Sequence, residues 1–307
     1  MLVNNIYQIS KEPRIYIGIG SKNWDKISGT TENKAYLITH PMWHFGLKSV
    51  FMFWKWKLDL KKRNVELILL LNTPSELFLS KITGLSGHFV NQNIHVCEHA
   101  FNPDSGAKKI YDAVYIAAAK KYKRLYLAKK IKKLFVITYF WPDIRNEKGE
   151  WDLHAFEPSI KHAAFNKDRI GRTEINKILN LSHCGLALSK KEGAMLASME
   201  YQLAGLPVVT THSIGGRDIL LDPEHTIWVD SDPEKIAAAV DKFVKSPPDP
   251  FEIRNRTLKN IDIHRRRFYN VIEVIFNGNN KTIEPYVDFQ KRIWGDANGI
   301  EVHSIIQ

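Results

Sequence analysis

Short apolar runs alternate along most of the chain with stretches whose apolar positions recur every three or four residues. The short runs predict buried strands at 15–19, 35–38, 65–71, 87–90, 113–117, 134–139, 185–189, 207–211 and 226–229. The recurring stretches predict helices at 125–133, 173–181, 194–204 and 233–244, then a long basic helix over 251–276. Strands that alternate with helices pack into parallel sheets covered on both faces. No internal repeat and no heptad run interrupts this pattern. The stretch 102–106 (Asn, Pro, Asp, Ser, Gly) reads as a linker, and 246–250 as a second break. The organisation that follows is an N-terminal domain over 1–106, a second domain over 107–277, and a tail over 278–307 that crosses back to the first.

Composition sets the outer bounds. A length of 307 residues suits about two domains. A hydrophobic fraction of 44% with eight Trp supplies real cores and excludes intrinsic disorder. Two cysteines, Cys97 and Cys184, are too few for a disulfide framework or a four-thiolate zinc site, and read as reduced thiols of a cytosolic protein. Residues 1–14 have no apolar core of the kind a secretory signal needs. The aliphatic run 67–71 is far too short to span a bilayer.

The net charge is +11, and 108–133 alone holds ten Lys or Arg against the single acid Asp112. A bound anion, a nucleic-acid patch and plain solvated helix faces all produce such a run. Lys129, Lys130, Lys132 and Lys133 fall on the polar side of the 125–133 stripe and read as solvated. Lys120, Lys121, Lys123 and Arg124 are different, because they occupy the turn between strand 113–117 and the helix expected after it. Carboxyl ends of strands face the ligand crevice in open parallel sheets. Cations at a helix N-terminus oppose its dipole unless an anion sits there, which points to a phosphate ligand.

The stretch 182–210 reads strand, short loop, helix, tight turn, strand. Glu192 lies in the loop at the carboxyl edge of the sheet, beside the flexible Gly193. Glu200 lies within the helix, where at roughly 100° per residue it falls between Leu203 and Ala204 on the apolar side. A carboxylate held there either accepts hydrogen bonds from a ligand diol such as a ribose, or pairs with a neighbouring basic side chain.

These residues resemble the donor half of the retaining glycosyltransferases of family 4 (glycosyl transferases group 1), enzymes of GT-B architecture. Glu192 and Glu200 are spaced as that family's E-x7-E pair. Leu188-Ser189-x-x-Glu192-Gly193, Glu200-x4-Gly205-Leu206-Pro207-Val208-Val209 and Gly215-Gly216 flank them as in the family. The likeness extends over 112–240 and is weak before 102. It implies an α/β fold of GT-B type, two Rossmann-like doubly wound domains facing a central crevice, with the N-terminal one on the acceptor side. The implied reaction moves a sugar from a nucleotide-sugar donor to a glycan or lipid-linked acceptor, with retention and with no metal or cofactor.

Within that resemblance Glu192 and Lys123 are the implied catalytic residues, Glu192 facing the sugar and Lys123 the diphosphate. Glu200 takes the ribose, and Gly193, Ala194, Arg124, Gly216 and His95 complete the donor contacts. His95 is placed by strand 87–90, which delivers 91–95 toward the crevice. One departure stands out. Tyr115-Ile116-Ala117-Ala118 occupies the place of aromatic-aliphatic-Gly-Arg, so Ala118 replaces the usual arginine, while Lys123 keeps the lysine position and the adjacent Arg124 is the substitute. No Asp-x-Asp and no metal-ligand spacing is present; His95 and His99, four apart, lack further ligands.

The segment 43–63 interleaves Trp43, Phe45, Phe51, Phe53, Trp54 and Trp56 with Lys48, Lys55, Lys57, Lys61, Lys62 and Arg63. It reads either as a helix with aromatic core contacts or as a peripheral membrane contact, which would place the protein at the inner face of the membrane. Two other function classes remain. One is a catalytically silent sugar-nucleotide-binding protein, suggested by Ala118. The other is a basic nucleic-acid-binding protein, suggested by the charge but by no recognisable nucleic-acid motif.

Overall fold

The structure is a computed structural model and describes residues 6–19, 27–30, 33–41, 43–138, 149–150 and 152–295. The chain divides into two compact units: unit 1 comprises Met1–His95, Gly215–Ile219 and Ile261–Gln307, and unit 2 comprises Val96–Ile214 and Leu220–Asn260. The divisions thus fall at 95/96 and 260/261, where the sequence suggested 106/107 and 277/278.

Unit 1 is built on a five-stranded sheet ordered β1 (Ile6–Ser10), β2 (Arg14–Ile19), β3 (Ala35–His40), β4 (Val65–Leu71) and β5 (Gly87–Phe89). β1 runs antiparallel to β2, and the remaining pairings are parallel. Its helices are α1 (Leu47–Lys62) and α2 (Pro74–Ile82), with most of α7 (Pro250–Gly278) and α8 (Tyr286–Trp294). The period-2 alternation of strand side chains sorts β4 onto two cores. Leu67, Leu69 and Leu71 join Val50, Phe53 and Leu60 of α1 in one. Ile68 and Leu70 join Phe268 and Ile272 of α7, and Phe289 and Trp294 of α8, in the other. Residues from the far end of the chain therefore close one face of the N-terminal sheet.

Unit 2 carries a six-stranded sheet of β6 (Tyr111–Ile116), β7 (Leu134–Ile137), β8 (Ala164–Phe165), β9 (Ser182–Ala187), β10 (Val208–Thr211) and β11 (Thr226–Val229). The order is β11-β10-β9-β6-β7-β8 and every pairing is parallel. α3 (Leu153–Phe156), α4 (Arg172–Asn180), α5 (Leu196–Leu203) and α6 (Pro233–Lys245) complete it. The stretch 102–106 belongs to this unit and is held on α4, where Asp104 N–H donates to Asn180 Oδ1 at 2.7 Å.

Each predicted strand has its counterpart, although Tyr139 at the end of the 134–139 run lies outside the described residues. The helix expected over 125–133 does not form. In its place are two 3-10 turns, Lys121–Lys123 and Leu125–Ala128, with Arg124 between them at φ 53° in the left-handed region. Leu125, Ala128, Ile131 and Leu134 are buried at intervals of three, a spacing that three-residue turns serve as well as an α-helix does. The helix N-terminus expected beside Lys123 is accordingly absent. Lys129, Lys130, Lys132 and Lys133 are exposed, as a solvated face requires.

Candidate active site

The strand order of unit 2 reverses at one place. From β6 the chain proceeds outward through β7 and β8, then returns to the other side of β6 with β9 and continues to β10 and β11. Ligands of open α/β sheets bind beyond the carboxyl ends of the strands at such a switch point. Lys123 follows β6 and Glu192 follows β9, so the two neighbouring carboxyl ends deliver them to the same spot. Their side chains form an ion pair there, only 11% and 8% exposed. A buried pair is a poor source of stability, because desolvating both ions offsets most of their attraction. It stands at the switch point, where open α/β sheets take their ligands.

Both partners are held from behind. Tyr115 in β6 donates its hydroxyl to the Lys123 carbonyl at 2.5 Å. Glu192 N–H donates to Ile214 O, and Ile214 N–H to Lys190 O, each at 3.0 Å, which ties the loop after β9 to the loop after β10. Tyr122 lies under the Lys123 ammonium at 5.3 Å, and burial, helped by the Glu192 charge, pushes its phenol up to about 12. Gly193 is buried and Ala194 half-buried in the link to α5.

Arg124, expected to stand in for the missing arginine, reaches across the carboxyl ends of three strands. It donates to Leu188 O at 2.6 Å, to Thr211 Oγ1 at 2.6 Å and to Ser231 Oγ at 2.8 Å. Its guanidinium braces the edge on which the site stands. No signal near Arg124 in sequence foretells this, since all three acceptors are more than sixty residues away.

Glu200 faces inward on α5, as its place on the wheel predicts. Burial pushes its carboxyl up to about 7, and the charge of Arg172 pulls back only part of the way. Among the described residues no hydrogen bond or ion pair meets the carboxylate. The alternative of a neighbouring basic partner is thus answered by a distant charge and no contact. α5 owes its seat to a glycine: a Cβ on Gly185 would lie 2.3 Å from the Tyr201 ring. With that space open, Tyr201 packs on β9 and its hydroxyl accepts the Ile116 N–H of β6 at 2.6 Å. Tyr201 is a site-building residue that the sequence reading passed over.

His95 and Gly216 lie in unit 1. His95 ends a 3-10 turn, Gln92–His95, and both its ring nitrogens are buried without a hydrogen-bond partner among the described residues. Burial, then the nearby Arg265 charge, lowers it to about 3, so the ring is neutral at any ordinary pH. The His40 ring meets it edge-on at 5.1 Å. Gly216 O accepts from Asn91 Nδ2 at 2.8 Å, and the Asn91 N–H donates to His264 Nδ1 at 3.0 Å. Among the described residues no group of three or more His, Cys, Asp or Glu is placed to hold a metal.

A model of the family glycosyl transferases group 1 matches residues 141–246, a stretch that carries Glu192 and Glu200. Comparison with curated proteins gives no match. Among solved structures the chain is similar to TarM, with a TM-score of 0.59 and 14% identity over 83% of this chain and 54% of that one. It is also similar to HepE of Anabaena in complex with UDP-glucose (TM-score 0.56, 10% identity, 77% of this chain and 72% of that one). A third likeness is sucrose-phosphate synthase from Thermosynechococcus elongatus (TM-score 0.54, 12% identity, 76% and 69%). The fold is GT-B, two Rossmann-like α/β domains. The chain spans about half the length of the first two structures it matches, 54% and 53%.

Proposed function

We propose that the protein transfers a sugar from a nucleotide-sugar to a glycan or lipid-linked acceptor, with retention at the anomeric carbon and without a bound metal. The observation that carries this reading is the buried Lys123–Glu192 pair at the switch point, with the half-buried Glu200, whose carboxyl pKa is raised, on the helix that follows. A departing nucleoside diphosphate gathers negative charge, and the Lys123 ammonium, already fixed and desolvated, stabilises it. The anomeric carbon becomes oxocarbenium-like, and the Glu192 carboxylate is the anion set beside it. A ribose diol donates to Glu200 the hydrogen bonds its carboxylate lacks. Gly193 and Ala194 offer backbone that a donor can approach closely. On binding, Lys123 exchanges one anionic partner for another, so its charge never stands alone. Two buried thiols suit a reducing compartment such as the cytoplasm.

A second reading, a sugar-nucleotide-binding protein without transfer, is favoured by Ala118 alone, where the family has its arginine. The test separates the two. HepE is described with UDP-glucose, so UDP-sugars come first in a thermal-shift panel. A donor at about 100 times its Kd adds roughly 2.7 kcal/mol of stability, and Lys123→Ala abolishes that shift. A panel that leaves the melting temperature unmoved refutes both readings. Donor binding with neither transfer nor hydrolysis selects the second. Transfer that persists in EDTA supports the metal-free route, and loss of transfer restored by added Mg²⁺ or Mn²⁺ refutes it.

A further inference from the structure

Unit 1 presents an apolar stripe to solvent. α1 docks on its sheet through Val50, Phe53 and Leu60, but Leu47, Phe51, Trp54 and Leu58 point away from that core. Their spacing of four, three and four places them in one line along the helix. Phe78 and Ile82, four apart on α2, add to it. These are not marginal exposures: Phe51 is 77% exposed and Phe78 65%.

The two helices are locked into one surface. Trp54 Nε1 donates to Thr83 O at 2.7 Å, and Lys57 Nζ donates to Gly84 O at 2.7 Å while lying 4.9 Å over the Trp54 ring. An indole whose N–H is satisfied and whose ring is half open suits a boundary between apolar and wet surroundings. Around the stripe stand Lys48, Lys55, Lys61, Lys62 and Lys81, all exposed. The one acid of α1, Asp59, is paired with Arg63 at 3.1 Å.

We propose that this face docks on an anionic lipid surface, with α1 and α2 lying flat, Phe51 and Phe78 inserted among the acyl chains, and the lysines on the headgroups. An apolar centre with a rim of one sign is the chemistry of an interfacial amphipathic helix. A second copy fits less well, because a two-fold contact sets the same lysines against each other. Among the described residues no helix is long and apolar enough to cross a membrane, so the contact is interfacial. The inference stands apart from the transferase reading, since vesicle binding requires no donor.

The test is co-sedimentation of the full chain with phosphatidylcholine vesicles, with and without phosphatidylglycerol, at about 0.1 M salt. The protein pellets with the anionic vesicles and stays in solution with the neutral ones, and raising the salt releases it. The double variant Phe51→Ser, Phe78→Ser and the triple variant Lys55→Gln, Lys62→Gln, Lys81→Gln each lose at least roughly tenfold in partitioning. All five positions are exposed, so circular dichroism and melting stay as in the parent. Failure of the parent to pellet overturns the proposal, as do equal binding to neutral vesicles and either variant binding as the parent does. A concentration-dependent dimer, lost in the phenylalanine variant and indifferent to lipid, overturns it in favour of a second copy.

Discussion

Partial burial disfavours the charged form of a carboxylate, and it holds the Glu200 pKa near 7 against an ordinary 4.5. The folded value lies above the unfolded one, so proton binding favours the fold most below about 4.5, and that contribution is lost as pH rises through 7. Glu200→Gln should therefore flatten stability over this window and leave the protein more stable than the parent at pH 8, by urea unfolding. Binding should run the other way. A ribose diol donates to the ionised carboxylate, so nucleotide affinity rises roughly threefold to tenfold between pH 6 and 8. Calorimetry with free nucleotide at both pH values checks this; an affinity indifferent to pH and to Glu200→Gln ends the ribose assignment. Glu192→Gln belongs to a different class. A group that acts chiefly in the transition state lowers kcat when changed, whereas a group that binds donor uniformly raises KM. The expected outcome is a fall in kcat for Glu192→Gln and a rise in donor KM for Glu200→Gln.

At the scale of elements, the seat of α5 on β9 decides where Glu200 stands. Gly185→Ala puts a methyl group into the Tyr201 ring, and overpacking of that kind costs about 1–3 kcal/mol. The same substitution should weaken nucleotide binding, since α5 must shift to relieve the clash. A lower melting temperature with unchanged nucleotide affinity would separate the helix from the site. Much at this scale was legible in the sequence. Strands buried on both faces are nearly continuous apolar runs, and 65–71 and 113–117 announce themselves that way. The inward face of Glu200 followed from the flanks Leu203 and Ala204. The rest was hidden for one reason: it depends on contacts between distant residues. Lys123 and Glu192 are 69 residues apart, and no local pattern pairs them. The lysine-rich 125–133 looked helical because a spacing of three and a spacing of three or four share their first turn, and only the left-handed Arg124 separates them. β1 and α8 are short, and their apolar residues gain a partner only in the folded unit.

At the scale of the molecule, the sheet of unit 1 depends on residues made far from it. Phe289, Ile293 and Trp294 of α8 sit in the same core as Ile15, Ile38 and Leu70. Deleting large core side chains costs about 3–5 kcal/mol each, and a whole domain holds only about 5–15 kcal/mol. A chain ending at Gly278 should therefore lose folded unit 1, seen as rapid cleavage of residues 1–95 in limited proteolysis, while 96–260 stays protected. Equal protection of both parts would show that α8 is dispensable. The arrangement also orders events during synthesis, since chains emerge from their amino end and domains fold as they are completed. Unit 2 has its full sequence once residue 260 is out, whereas β2 to β5, made before it, cannot cover one of their faces until α7 and α8 have followed. Strands that emerge before unit 2 are completed only after it, and in the interval their bare sheet face is a surface for chaperones to shield.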